Sequence, residues 1–234
     1  MCSSCSLHHR RRDLNDRGRA MAPGQYSMDA KQHTMSPVVT GATVIGMKYK
    51  DGVILAADTL ASYGNEARYK DVCRLKKIGD HTLLGAGGEI SDFQYLGDLL
   101  DEMADEEACD ARSVLVPAPP FPLQDQAPHL MYVDHQGTAF EEDFVATGFG
   151  MHLGIPLLRN NWKPDMSLDE AKALATKCLE VCFYRDCKAY CKIQIGVCAG
   201  AGVEIGPPTP INHFWGHTAW TENRLEDGDS TGTW

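Results

Sequence analysis

The fold is decided by residues 41–58, which read GATVIGMKYKDGVILAAD. Within them, residues 44–49 and 53–57 are short apolar runs, and residues 50–52 provide a turn with glycine at its left-handed position. The second run is almost wholly apolar, which is typical of a strand covered on both faces. It ends at a single carboxylate, Asp58. The pattern therefore predicts a buried β-hairpin that delivers an acidic side chain to a site.

Strand and helix patterns follow the hairpin in separate blocks. Residues 72–78 alternate between apolar and polar side chains, and residues 82–88 predict another strand of small residues. Ser91 or Asp92 can begin an amphipathic helix that runs through Met103 and ends in an acidic run.

The second half of the chain repeats this order. Residues 131–146 predict another hairpin, and a capping box of Ser167 and Glu170 opens a long helix that ends near Tyr190. Residues 191–205 then alternate and turn back as a pair of strands. Because helices and strands are segregated rather than alternating one by one, the order predicts the α+β class.

Composition and charge exclude several functions. The 234-residue chain has a net charge of −10, and residues 1–35 are net positive, so the remaining body is acidic and unsuited to nucleic acid. No apolar run approaches the roughly 20 residues of a membrane helix. An apolar signal-peptide core is also absent from residues 1–35. We therefore expect an intracellular globular protein with no nucleic-acid and no membrane partner.

The nine cysteines raise the question of a metal or redox site. Cys2 and Cys5 form a single pair, without the second pair that a zinc site of this kind needs. Cys178 and Cys182 lie one turn apart on the apolar stripe of the long helix, where cysteine acts as a small hydrophobe. These spacings favour reduced thiols and predict no metal and no cofactor.

Several motifs resemble those of proteasome β subunits, in the same order along the chain. The resemblance covers roughly residues 36–110 and 131–206. It is strongest to the non-catalytic member at the seventh position of the β ring. It implies the N-terminal nucleophile (Ntn) hydrolase fold, a four-layer αββα sandwich. The motifs are GxTxIGxKY, GVILAAD, SYG, GAGGEISDFQ and YRD.

The same resemblance identifies the positions of the family's catalytic residues. An active subunit uses the hydroxyl and the amine of an N-terminal threonine, but Ala42 stands at that position. The family's lysine is replaced by Arg74, which stays protonated. Asp58 and Asp186 match two acids of the active subunits, whereas Phe149 and Ala189 stand in place of two serines. The resemblance therefore implies a subunit that cleaves nothing. The six degenerate positions are Ala42, Asp58, Arg74, Phe149, Asp186 and Ala189.

An active threonine endopeptidase subunit that uses Thr43 or Thr40 is the alternative. A shift of one residue turns every side chain of the hairpin to the opposite face, and Thr40 is two residues out of place. Because the amine and the hydroxyl must be held in one geometry, the non-catalytic interpretation is favoured. For Asp58 itself, a structural acid remains the simpler interpretation.

The resemblance also divides the chain into three regions. Residues 1–33 are polar and are interpreted as a propeptide or disordered extension, with cleavage expected near Thr34. Residues 34–206 form the proteasome β-type domain. Residues 207–234 form a C-terminal arm that carries tryptophans and is expected to reach the opposite ring.

The implied role is structural. A non-catalytic β subunit contributes to ring assembly in the 20S core particle and to ubiquitin-dependent protein degradation by the complex. Its partners would be the other β and α subunits and, through the complex, assembly factors and the regulatory particle. Its location would be the cytoplasm and the nucleus.

Residues 111–129 depart from the family pattern. They contain five prolines and predict a loop, although a loop that long is unusual inside a compact domain. Family members place a second helix and two strands before the next hairpin, and residues 108–131 are too few to hold them. A helix–strand segment is therefore missing here, through either divergence of the subunit or an error in the gene model or splicing.

Overall fold

The computed structural model describes residues 38–113 and 128–216, with the backbone alone for residues 106–113. Strands and helices follow the predicted α+β order. No helix in these ranges is long and apolar enough to cross a membrane. The helices are α1 (Ile90–Ser113), α2 (Gly150–Asn161) and α3 (Leu168–Arg185). The strands are β1 (Val39–Gly41), β2 (Val44–Tyr49), β3 (Gly52–Asp58), β4 (Ala61–Tyr63), β5 (Glu66–Tyr69), β6 (Leu75–Ile78), β7 (Thr82–Gly85), β8 (Gly88–Glu89), β9 (Met131–Val133), β10 (Ala139–Glu141), β11 (Phe144–Ala146), β12 (Lys192–Ala199), β13 (Gly202–Ile205) and β14 (Thr209–Pro210).

The predicted hairpin lies in the middle of a six-stranded antiparallel sheet. β2 and β3 pair with each other, from Val44 opposite Ala57 to Tyr49 opposite Gly52. The prediction of a left-handed glycine in the turn was wrong, because Gly52 is already the first residue of β3 and its φ is not positive. The sheet has the order β11-β2-β3-β12-β13, and β14 also pairs with β12. Every residue of β3 is buried, so the prediction of a strand covered on both faces is confirmed.

One face of this central sheet is covered by α2 and α3. Leu158 of α2 and Cys178 of α3 are fully buried there with Ile45 of β2. α3 begins with the predicted capping box, in which the Ser167 hydroxyl accepts a hydrogen bond from the Glu170 amide. The Glu170 carboxylate in turn accepts one from the Ser167 amide at 2.9 Å.

The opposite face carries a divided layer of strands. It includes the two-stranded sheets β6–β7 and β9–β10, and the strands β5-β4-β1-β8 form a separate sheet of four. Leu75 and Leu83 of β6–β7 pack with Val44 and Leu55 of the central sheet in a second core. α1 lies outside this layer, against β6, β1 and β8. The layers therefore follow the αββα order that the resemblance implies.

Two helix boundaries differ from those expected from the sequence. α1 continues through the acidic run to Ser113, because alanine and glutamate are strong helix formers. α3 ends at Arg185 rather than near Tyr190, because Asp186 adopts an extended backbone with φ −108° and ψ 119°. The predicted loop at 111–129 thus begins in helix, and its residues 114–127 lie outside the described part of the chain.

Candidate functional site

Arg74 lies at the centre of the predicted site, directly before β6, with its side chain fully buried. The guanidinium donates hydrogen bonds to the backbone carbonyls of Ala42 at 3.1 Å, Thr43 at 2.8 Å and Asp58 at 2.9 Å. It also forms an ion pair with the Asp58 carboxylate. Arg74 therefore ties the beginning of β2 to the end of β3.

Asp58 is the counter-ion of this arginine. It is the last residue of β3 and is 3% exposed, and its second carboxylate oxygen accepts a hydrogen bond from the Tyr190 amide at 2.9 Å. Burial raises the pKa of Asp58 to about 6, and the charge of Arg74 acts in the opposite direction. Burial also lowers the pKa of Arg74. These contacts support the structural interpretation of the acid.

Ala42 connects β1 to β2 and carries only a methyl group, at the position that the resemblance predicts for the nucleophile. Two glycines pack against its backbone. A side chain on Gly87 would come within 2.7 Å of the Ala42 carbonyl oxygen, and one on Gly148 would come within 3.5 Å. Gly148 also has φ of 56°, a backbone conformation that favours glycine. Arg74, Gly87 and Gly148 thus lie close around the backbone of Ala42, whose side chain has no hydroxyl or thiol.

The turn after α3 brings two further predicted positions to the same place. Asp186 is 7% exposed, and its carboxylate accepts a hydrogen bond from the Lys188 amide at 2.9 Å. The Ala189 amide donates to the Asp186 carbonyl at 3.1 Å. The charge of Asp186 is close enough to raise the pKa of Asp58. Asp58 and Asp186, the two acids that the resemblance matches to those of active subunits, therefore lie close to each other.

Phe149 is the predicted position whose side chain stays outside this cluster. It directly precedes α2 and is 56% exposed. Its ring packs edge-on against His152, with 6.4 Å between the ring centroids. The backbone of Phe149 follows Gly148, which adjoins Ala42, so the main chain reaches the site although the aromatic ring does not.

Thr43, the alternative nucleophile, faces the helices rather than Arg74. It is 2% exposed, and its hydroxyl oxygen accepts a hydrogen bond from the Gly150 amide at 3.0 Å. The Thr43 side chain also adjoins the Cys182 thiol of α3, and it lowers the pKa of that thiol against the larger effect of burial. This orientation is the one expected for a side chain one residue out of register. Thr40 lies within β1.

No periodicity or local spacing in the sequence points to Thr147, although its side chain holds the beginning of β2 in place. Its hydroxyl accepts a hydrogen bond from the Val44 amide at 2.9 Å, and its own amide donates to the Val44 carbonyl at 2.8 Å. The two residues are 103 positions apart, so no local pattern can connect them. The only signal in the sequence is the motif ATGFG at 146–150.

The interpretation of Cys178 and Cys182 as core residues is confirmed, since they are 0% and 1% exposed. Burial raises the pKa of Cys178 to about 12 and that of Cys182 to about 11. Within the described ranges, no group of three His, Cys, Asp or Glu side chains could hold a metal ion.

We expect a thiol-alkylating reagent at about pH 8 to modify Cys73 and Cys187 well before Cys178 and Cys182, because only the thiolate reacts. The first two are exposed. Peptide mass mapping after a short reaction measures the order, and labelling in urea, where all four should react, is the control. Rapid modification of Cys178 or Cys182 in the folded chain would contradict the burial of α3.

Comparison with known proteins assigns this architecture to a class. A family model described as Proteasome subunit matches residues 38–116 and 122–198. The αββα layers and the residues gathered at the beginning of β2 agree with that match. The chain belongs to the proteasome subunit family, among its β subunits.

Similar proteins narrow the comparison further. Proteasome subunit beta type-4 of Arabidopsis thaliana is 37% identical over 216 residues, covering 80% of this chain and 86% of that protein. Proteasome subunit beta type-4 of Xenopus laevis is 34% identical over 228 residues, covering 84% and 94%. Probable proteasome subunit beta type-7 of Schizosaccharomyces pombe is 33% identical over 232 residues, covering 86% and 87%.

The same comparisons show a difference in length between this chain and its relatives. The family match is interrupted at residues 117–121. The alignment with the Arabidopsis protein extends over 216 residues, which is more than 80% of a 234-residue chain. That alignment therefore contains positions that this chain does not fill, and the Xenopus alignment does as well. The relatives carry residues that this chain lacks.

Proposed function

We propose that this chain is a non-catalytic structural β subunit of the 20S proteasome core particle. In that role it contributes to ring assembly and to ubiquitin-dependent protein degradation by the complex. The observation that carries the proposal is Ala42, which has no hydroxyl at the beginning of β2 and whose carbonyl is held by Arg74. The name of the relatives, proteasome subunit beta type-4, supports the same position in the complex.

An active threonine endopeptidase subunit is the weaker candidate. Thr43 would have to break its hydrogen bond to Gly150 and turn to the opposite face of the sheet before it could approach Arg74. The guanidinium would still be protonated and could not accept a proton from a hydroxyl. Its hydrogen bonds to three carbonyls and one carboxylate also hold it in place.

The proposed partners are the other β and α subunits and, through the complex, assembly factors and the regulatory particle, in the cytoplasm and the nucleus. We propose that residues 1–33 are removed by cleavage near Thr34, which lies outside the described residues. The described beginning of the arm 207–234 is anchored on α3, where Trp215 packs edge-on against Tyr184 at 5.2 Å. From this anchor, the remaining residues would extend to the opposite ring.

One purification tests the proposal. We expect the tagged chain to co-purify with a particle many times its own mass and to remain unlabelled by a covalent probe for N-terminal threonines. The catalytic subunits of the same particle are the positive control. Intact-mass analysis also measures the mature N-terminus, which is expected near Thr34. A probe adduct on Thr43 or Thr40 would overturn the non-catalytic assignment, and elution at the mass of the single chain would overturn the assembly role.

A further inference from the structure

The hairpin of β4 and β5 has one side against the protein and one side free. β4 begins with the buried residues Ala61 and Ser62 and pairs with β1 on its inner side. β5 pairs with β4, and all four of its residues are exposed. No further strand pairs with β5 within the described ranges. Its outer edge therefore presents backbone donors and acceptors that another chain can pair with.

A β-bulge in this hairpin brings three exposed side chains together. Ala61 pairs with Tyr69 and Tyr63 pairs with Glu66, so three steps along β5 match two steps along β4. A bulge of this kind re-aims a side chain. The guanidinium carbon of Arg68 lies 5.3 Å from the ring centroid of Tyr63 and 5.6 Å from that of Tyr69. We call Tyr63, Arg68 and Tyr69 the aromatic–arginine cluster.

The charge of Arg68 has no counter-ion among the described side chains. In residues 38–105 and 128–216, no acidic side chain forms an ion pair with Arg68. Asp71, three positions further along the chain, pairs with Lys192 instead, at 3.0 Å. Aromatic rings contact the flat face of a guanidinium and leave the N–H groups at its edge free. These donors match the two oxygens of a carboxylate.

Charged residues on an edge strand also have a simpler role, since they prevent unwanted strand pairing. That role requires only a charge extended into water, whereas Arg68 is held between two aromatic rings. Tyrosine and arginine are enriched among the residues that carry most of the energy of an interface. A side chain that is already ordered also loses less freedom on binding. The arrangement therefore favours an interface over a protective charge.

We propose that the open edge of β5 and the aromatic–arginine cluster bind an extended segment of a neighbouring β subunit, which presents a carboxylate to Arg68. The segment adds a strand to the edge of β5. Its carboxylate accepts two hydrogen bonds from the guanidinium, and its apolar atoms cover Tyr63 and Tyr69. An acid is the complement of this surface because the arginine charge has no other partner there. The inference rests on the proposed function, since a chain outside the particle has no such neighbour.

Arg68→Glu in the tagged full-length chain, expressed together with the other subunits, tests the contact. We expect the ratio of assembled to free chain to fall by about tenfold or more, because the new carboxylate repels the acid of the neighbour. Arg159→Glu, at the exposed arginine near the end of α2, is the matched control and should leave the ratio unchanged. Each variant should keep its Tm within about 2 °C, because both arginines are exposed.

A photoreactive side chain identifies the partner. Ala67 is an exposed residue of β5 outside the cluster, so Ala67→benzoylphenylalanine leaves Arg68 and both tyrosines in place. We expect irradiation of the assembled particle to link this position to a peptide of another β subunit that contains Asp or Glu. Mass spectrometry of the linked peptides reads the result. Linkage to a second copy of this chain, or to no subunit, would overturn the proposal.

The ratio of assembled to free chain separates this inference from the proposed function. Equal assembly of the unchanged chain and the Arg68→Glu variant would overturn the β5 contact alone. An equal loss in the Arg159→Glu variant would do the same, because charge in general would then be the cause. Absence of the unchanged chain from the particle would overturn the proposed function, and the β5 contact with it.

Discussion

Replacing Arg74 with methionine is expected to lower the free energy of unfolding by about 3–5 kcal/mol. Methionine fills part of the same volume but carries no charge, so the Asp58 carboxylate stays buried without its counter-ion. The carbonyls of Ala42 and Thr43 lose their donor as well. Urea unfolding followed by circular dichroism measures the difference from the unchanged chain.

Asp58→Asn separates the charge penalty from the loss of packing. The double variant Asp58→Asn/Arg74→Met should be less destabilised than Arg74→Met alone, because no buried charge is left without a partner. If the double variant were as unstable as the single one, the unpaired carboxylate would not be the cause of the loss.

The pH dependence of the Arg74→Met variant has a defined sign. Burial already raises the folded-state pKa of Asp58 to about 6, and removal of the arginine charge raises that pKa further. When a carboxyl pKa is higher in the folded state, stability is retained below the unfolded-state pKa of about 4 and is lost as the pH rises through the folded-state pKa. The variant should therefore be closer in stability to the unchanged chain at about pH 5 than at about pH 7.5.

Sequence patterns predict the parts of the fold that depend on near neighbours. The hairpin at 44–57 and the capping box of Ser167 and Glu170 involve residues only a few positions apart, and both are present in the structure. Arg74, by contrast, reaches an acid 16 positions away and carbonyls 31 and 32 positions away. Periodicity carries no information on such contacts. The positions of Arg74 and Ala42 in the site follow only from the resemblance to the family.

The apolar face of α1 formed by Leu96, Leu99 and Met103 shows a second limit of sequence patterns. The apolar period that includes Leu96 and Met103 predicts an amphipathic helix, and the helix forms. The pattern does not specify which element covers the apolar face, because the covering residues are distant in the chain. In this structure the described residues leave that face exposed. The sequence therefore predicts that α1 is amphipathic, but it does not predict whether the apolar face of α1 is buried.

Leu158→Ala is expected to cost about 2–5 kcal/mol of unfolding free energy, because the smaller side chain leaves a cavity in a packed core. Leu158 is fully buried between α2 and the central sheet. Leu96→Ala on α1 removes the same atoms from a side chain that is 52% exposed, and its cost should stay within about 0.5 kcal/mol. Denaturation of the two variants side by side measures the contrast.

The comparison is matched, because both substitutions replace leucine with alanine in a helix and change helix propensity by the same small amount. The remaining difference is the surface that each leucine covers. Because the core between α2, α3 and the central sheet is closely packed, Leu158→Ala should lower the free energy of unfolding strongly. Leu96→Ala should lower it only slightly, because the face of α1 that carries Leu96 is exposed. If Leu96→Ala lowered the free energy of unfolding as much as Leu158→Ala, this face of α1 would already be covered in solution.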